Sequence, residues 1–183
     1  MRSKYILIVL FVSALGWVSC TDSKMQTEDL RSVKINMNVD KIDYGNAICA
    51  YTGETIKTTR YGGRIELKNG TTFDFMSTEC TAAFYINYDK KDEIAQIKIT
   101  DFAHGVQLLP VDQLLYLRSP LRPSPNGLFL TAVESSNLKM LEYISDAYPG
   151  EYVTWDEVLK IVQNEMDLES HKANSSLRKN RAE

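Results

Sequence analysis

The side chains of this sequence best suited to chemistry are its sulfurs. Beyond the N-terminal segment these are Cys49, Cys80, Met25, Met37, Met76, Met140 and Met166. Thiolates and thioethers are soft ligands that favour Cu(I) over hard cations. Met76 and Cys80 lie in the run Phe75-Met76-Ser77-Thr78-Glu79-Cys80. If Met76 ends a strand and Cys80 sits in the first turn of a helix, both side chains face one mouth. A helix N-terminus also stabilises a thiolate. Plainer roles are open to the same residues. Met76 can be a core side chain, and Cys80 a small buried hydrophobe. Cys49 and Cys80 can share a metal, stand as unlinked thiols, or form a disulfide. Closing that loop of about thirty residues would stabilise the fold by ~3–4 kcal/mol in the chain-entropy model. His104, in Asp101-Phe102-Ala103-His104-Gly105, can complete a sulfur–imidazole site or be a surface-loop histidine. Zinc is the second candidate ion, since Cys, Glu54 and His104 are all acceptable zinc ligands. His171, in a polar tail, has no specific role.

Several chemistries find no support. The chain has no Walker-type loop, no dinucleotide-binding glycine fingerprint, no HExxH and no GxSxG. No local nucleophile signature supports a Cys–His pair. The expected class is therefore a binding protein, not an enzyme. Three Cys and two His exclude a four-cysteine zinc framework and a disulfide-dense miniature fold. The tyrosines are scattered among apolar neighbours, which fits packing better than a base-stacking platform. The 183 residues carry 21 basic and 24 acidic side chains, a net charge of −3, which leaves no basic footprint for nucleic acid.

Positioning the sulfurs requires elements that the sequence spells out locally. Arg64-Ile65-Glu66-Leu67-Lys68 alternates as a half-buried strand does. Asn69-Gly70 is a hairpin signal, because both residues tolerate positive φ. Thr71 to Phe75 forms the return strand. Ser77 can cap a helix that has Cys80 at its third position. Ile94 to Ile99 alternates again, which completes a ββαβ unit. A looser version follows. Gln113–Arg118 is strand-like, Pro120, Pro123 and Pro125 make a bend, and Gly127–Val133 is strand-like. Ser135 or Ser136 caps a helix with apolar residues at Leu138, Leu141, Ile144 and Ala147. Pro149-Gly150 ends it. Glu151–Thr154 is a short strand, and Thr154 caps a last helix with Glu157 at the capping-box position. The fold class is α+β: two similar ββαβ units packed together, a C-terminal helix and a polar tail. With apolar residues at 44%, a sizeable core is available.

The first twenty residues read as an address. Arg2 and Lys4 precede an almost wholly apolar run from Tyr5 to Val18, and Ser19 stands before Cys20. This is the pattern of a lipoprotein signal, in which residues 1–19 are removed and Cys20 becomes the acylated first residue; an uncleaved anchor helix and an ordinary secreted protein with a free Cys are the competing readings. Loss of Arg2 and Lys4 takes the net charge from −3 to −5. Residues 20–40 are a polar tether. The folded domain is expected at 41–165, in halves of about 41–105 and 106–165, with a disordered tail at 166–183. A lipid on Cys20 holds the protein at a bacterial membrane, with its domain in the periplasm or at the cell surface. That compartment is oxidising.

One resemblance covers roughly Ile42 to Val162. The segments Ile42-Asp43-Tyr44-Gly45, Cys49-Ala50-Tyr51-Thr52-Gly53-Glu54-Thr55-Ile56 and Arg60-Tyr61-Gly62-Gly63-Arg64-Ile65 resemble the NosL family. So do Phe75-Met76-Ser77-Thr78-Glu79-Cys80, Ser124-Pro125-Asn126-Gly127 and Thr154-Trp155-Asp156-Glu157-Val158. These are copper-binding lipoproteins associated with assembly of nitrous oxide reductase, in denitrification. The resemblance implies a doubled ββαβ fold, related to part of organomercurial lyase, and a copper chaperone role. It implies Cys49 and Cys80 as metal ligands, to which the local reading adds Met76. The departures are specific. Where the family carries a Cys-x-Tyr-Cys-x-Met run, this chain keeps Cys49 and Tyr51 but has Thr52 and Glu54. Where a later family turn carries Met, it has Asn126. Each change replaces a soft ligand by an oxygen group. The resemblance thus implies a Cu(I)-binding accessory lipoprotein. The alternative is a metal-free binding or scaffold lipoprotein with a Cys49–Cys80 disulfide.

Overall fold

The computed structural model describes residues 40–166 and Leu168. The signal segment, Cys20, Met25, Met37, His171 and the expected tail beyond Leu168 lie outside the described residues. Among those residues the order is β1 (Gly63–Leu67), β2 (Thr72–Phe75), α1 (Thr78–Asn87), β3 (Ile94–Thr100), β4 (Leu108–Pro110), β5 (Leu114–Arg118), β6 (Leu130–Glu134), α2 (Leu138–Ala147), β7 (Glu151–Val153) and α3 (Trp155–Glu165). No helix among them is long and apolar enough to cross a membrane.

The strands form two antiparallel sheets, ordered β2-β1-β3-β4 and β6-β5-β7. In each unit the first strand is central, the second and third flank it, and a helix crosses from one flank to the other. The expected pair of ββαβ units is thus a repeat of topology. β1 buries Gly63, Ile65 and Leu67 and turns Arg64 and Glu66 to the other face, as a period of two demands. On that face Arg64 pairs with Asp74 and Asp40, and Lys98 pairs with Asp40 and Glu66.

The first hairpin shows why the turn residues are what they are. Gly70 takes φ +86 and donates its N–H to the Leu67 carbonyl, while Leu67 N–H donates to Thr71 O. Asn69 keeps a negative φ and instead accepts from Thr71 N–H at 2.9 Å. Only the glycine uses the left-handed region, as in a three-residue loop closed by a glycine bulge.

Beyond β3 the chain departs from the sequence expectation at three places. β6 starts at Leu130, not Gly127, because Gly127 (φ +82) and Phe129 (φ +64) bend the chain on its way out of the proline loop. The α2 cap is Asn137, whose side chain accepts from Met140 N–H, while Ser136 turns to Glu134. Strand β4, three residues long, was not foreseen. Thr154 does open α3, with Glu157 reaching back to its N–H at 2.7 Å and its hydroxyl at 2.9 Å.

One core joins the two units. Ala82 and Ala83 of α1 and Ile99 of β3 pack with Tyr116 of β5, Ala132 of β6 and Val158 and Val162 of α3. A second core lies beneath the first sheet: Ile42, Cys49, Ile56, Ile65, Phe75, Cys80 and Leu108. Both candidate cysteines are in it.

Candidate functional site

Cys49 opens a tight turn. Its carbonyl accepts from Gly53 N–H at 2.7 Å, and its N–H donates to Glu54 O at 2.8 Å. Gly53 takes φ +74 to make this return, a conformation that costs a residue with a Cβ about 1–2 kcal/mol. Ala50 N–H donates to Asp74 O at 2.8 Å, which lays the turn along β2. The result is a Cys49 side chain pressed inward, 0% exposed.

Cys80 comes from the other side. Ser77 is the N-cap of α1, in extended conformation, and its Oγ accepts from Cys80 N–H at 3.1 Å. The cap sets Cys80 in the first helical turn, also 0% exposed. Met76, half-buried, ends the approach from β2 and packs against the same core. Cys49, Cys80 and Met76 therefore belong to one cluster, with both cysteines buried. The cysteines stand as free thiols. Of the three arrangements open to the pair, the bridge is not formed, and the two thiols lie close enough in one core for each to shift the charge of the other.

The electrostatics of the pair are asymmetric. The hydrogen bond with Cys80 does most to hold Cys49 at about 5; burial opposes it, and Thr52 and the Met76 backbone assist. A thiolate at Cys49 thus sits among donors. Cys80 is pushed well above the usual thiol range by the same bond, then by burial and by the Cys49 charge. The two thiols titrate as a coupled pair, in which Cys49 parts with its proton more readily than Cys80.

Oxygen groups complete the surroundings. Thr52 Oγ1 donates to Met76 Sδ at 3.6 Å. Asn126, from the β5–β6 loop, places Oδ1 2.6 Å from Ser77 Oγ and 3.2 Å from Cys80 Sγ, and both donate to it. Two positions flagged in the sequence as oxygen replacements of soft ligands, Thr52 and Asn126, are therefore in the site. Glu54, the third, is exposed.

His104 is not in it. Its N–H and Nδ1 both engage the buried Asp101 carboxylate, which also accepts from Glu134 N–H. A partner three residues back is closer at hand than any sulfur. No group of three or more His, Cys, Asp or Glu side chains among the described residues is arranged to hold a metal. The zinc set of Cys, Glu54 and His104 is not assembled.

Sequence reasoning missed one residue outright. Glu79 is 0% exposed. Its Oε1 accepts a short hydrogen bond from Ser124 Oγ, and its Oε2 has no partner. Burial raises its carboxyl above the ordinary range, against the opposing pull of Ser124. A signal was present. From Thr78 to Ala83 α1 is buried on every side, and a helix without a polar face hides its charged residues too.

No family model matches the sequence, and no curated protein matches it. Among solved structures, the crystal structure of the copper chaperone NosL from Shewanella denitrificans is similar. The TM-score is 0.50 at 16% identity, over 61% of this chain and 89% of that one. At that identity the likeness is one of fold, and the NosL-like architecture expected from the motifs is the one this chain adopts.

Proposed function

We propose that the protein is a membrane-tethered periplasmic accessory protein that binds Cu(I). It passes the ion to a periplasmic copper enzyme such as nitrous oxide reductase, and it is a metallochaperone rather than an enzyme. The observation that carries this reading is the convergence of Cys49, Cys80 and Met76 between the 49–54 turn and the start of α1. The fold shared with a copper chaperone supports it. Two thiols and a thioether form a soft donor set suited to Cu(I). Cys49, lowered to about 5 beside Cys80, forms a thiolate readily. Binding at both sulfurs releases the protons they carry. Release is ligand exchange: the partner's soft ligand enters a site of low coordination, and a protein sulfur leaves. Thr52 and Asn126 add only oxygens, poor partners for Cu(I), so the site is a weak one.

A second reading has its own support. Thr52 and Asn126 already hydrogen-bond to Met76 and Cys80, which satisfies these sulfurs without a metal. A metal-free binding or scaffold lipoprotein follows from that. An anaerobic competition titration of the reduced protein against a Cu(I) chelator decides. The copper reading expects near-stoichiometric binding that Cys49→Ser and Cys80→Ser each abolish. No binding, or binding indifferent to both substitutions, leaves the scaffold.

A further inference from the structure

The β5–β6 loop meets the first turn of α1 at neighbouring points. Asn126 Oδ1 accepts from Ser77 and Cys80. Two residues earlier, Ser124 donates its hydroxyl proton to Glu79 Oε1. The same Ser124 oxygen accepts from Phe129 N–H at 2.9 Å, and the Ser124 carbonyl accepts from Gly127 N–H at 3.1 Å. Ser124 is therefore the node at which the loop is folded on itself and tied to the helix. Its anchor is a carboxyl group that is wholly buried and has one oxygen without a partner. Burying a carboxyl is unfavourable, and an apolar side chain would fill the same space at lower cost. Packing does not account for Glu79; the loop that it holds does.

We propose that Glu79 is a positioning residue of the thiol site: through Ser124 it holds the 119–129 loop where Asn126 covers and orients the Cys80 thiol. Both cysteines are 0% exposed, so whatever reaches them must displace an element above them. The turn bearing Cys49 is laced to itself and to β2 by backbone bonds, as are its flanks: Gly45 donates to Ile56, and Ile56 to Ala47. The loop bearing Asn126 contains Pro120, Pro123 and Pro125, which have no N–H to give. Its internal backbone bonds run from Ser119 to Phe129, Arg122 to Ser119 and Gly127 to Ser124. Tyr61 Oη on the Pro123 carbonyl and Arg122 over the Phe102 ring hold its first half, and its ties to α1 and the α1 cap are the side-chain bonds of Ser124 to Glu79 and of Asn126 to Ser77 and Cys80. When a soft cation binds Cys80 and the thiol proton is released to water, Asn126 loses that donor but keeps Ser77. Glu79 then retains the loop over the occupied site. This deepens the copper reading by naming what governs entry, and it rests on that reading only for the identity of the cargo.

The test uses the full chain, reduced, and follows alkylation of the buried pair, Cys49 and Cys80, by iodoacetamide, each read by peptide mass mapping. Ser124→Ala and Glu79→Leu should each react about tenfold faster than the parent, the shift in open population expected when one such hydrogen bond is lost. Glu79→Gln keeps an acceptor oxygen and should stay within about twofold of the parent, on the same principle. Amide exchange in α3 and β5 should be unchanged, which separates opening of the loop from global unfolding. A parental rate in Ser124→Ala, or a Glu79→Gln as fast as Glu79→Leu, overturns the proposal. If Glu79→Leu does not fold, Ser124→Ala and Glu79→Gln still decide it. The Cu(I) titration is independent. A chain that binds no copper but shows this order of rates loses the chaperone reading and keeps the role of Glu79.

Discussion

Replacing Ser77 by Ala tests the joint on which the site turns. Ser77 is 0% exposed. Its Oγ accepts from Cys80 N–H at 3.1 Å and donates to Asn126 Oδ1 at 2.6 Å. Alanine removes both bonds while leaving the Ser77 carbonyl, which accepts from Thr81 N–H at 3.1 Å and Thr81 Oγ1 at 2.9 Å. Loss of an N-cap side chain costs ~1 kcal/mol. Loss of the second, neutral bond costs ~1 kcal/mol more. The expected destabilisation is ~2 kcal/mol, with a fall in Tm of about 6–8 °C for a domain of this size. Urea unfolding followed by circular dichroism measures it, with the m-value unchanged. A double-mutant cycle with Asn126→Ala should return a coupling of ~1 kcal/mol, because the two residues share a bond. A Ser77→Ala loss below ~0.5 kcal/mol, the size of an ordinary surface change, would refute both the cap and its link to the loop.

Two further outcomes follow from groups already described. Glu79 has its carboxyl raised by burial above the ordinary value of 4.5. Below that value folded and unfolded chains are both protonated, so its contribution is complete; as pH rises, the unfolded chain ionises first and stability is lost. Glu79→Gln removes this loss, so the Tm of the variant relative to the parent should climb between pH 4 and pH 8; a flat difference would mean that the carboxyl is not perturbed. Cys20→Ala should move the protein from the membrane fraction to the soluble periplasmic fraction. Retention of the variant on membranes after a high-salt wash would point to an uncleaved signal or a second anchor.

What the sequence made legible was set by separation along the chain. The hairpin at Asn69-Gly70, the Ser77 cap and the Thr154–Glu157 box depend on residues within four positions of each other, and each was readable. The cap of α2 was also local, yet three polar residues in a row, Ser135, Ser136 and Asn137, offered competing oxygens. The sequence does not rank them; the end of β6 does, by engaging Ser136 with Glu134. β4 is too short for periodicity, and Pro110 disguises it. It exists because the edge of β3 was open to Leu108 and Leu109. The meeting of Cys80 with Asn126 spans 46 positions, and that of Glu79 with Ser124 spans 45. No local rule reaches so far. Both depend on α1 lying under the second unit.

The same distances explain how the site can depart from a soft-ligand pattern and still hold its shape. Thr52 and Asn126 do not leave gaps beside the sulfurs. Each places an oxygen within hydrogen-bonding reach of one of them, at 3.6 Å from Met76 Sδ and 3.2 Å from Cys80 Sγ. A hydroxyl in the turn and an amide in the loop thus tie both to the β2–α1 junction. A sulfur with a hydrogen-bond partner must break that contact before it takes a cation. Met76 and Cys80 each carry such a contact, and Cys49 is the sulfur that parts with its proton most readily.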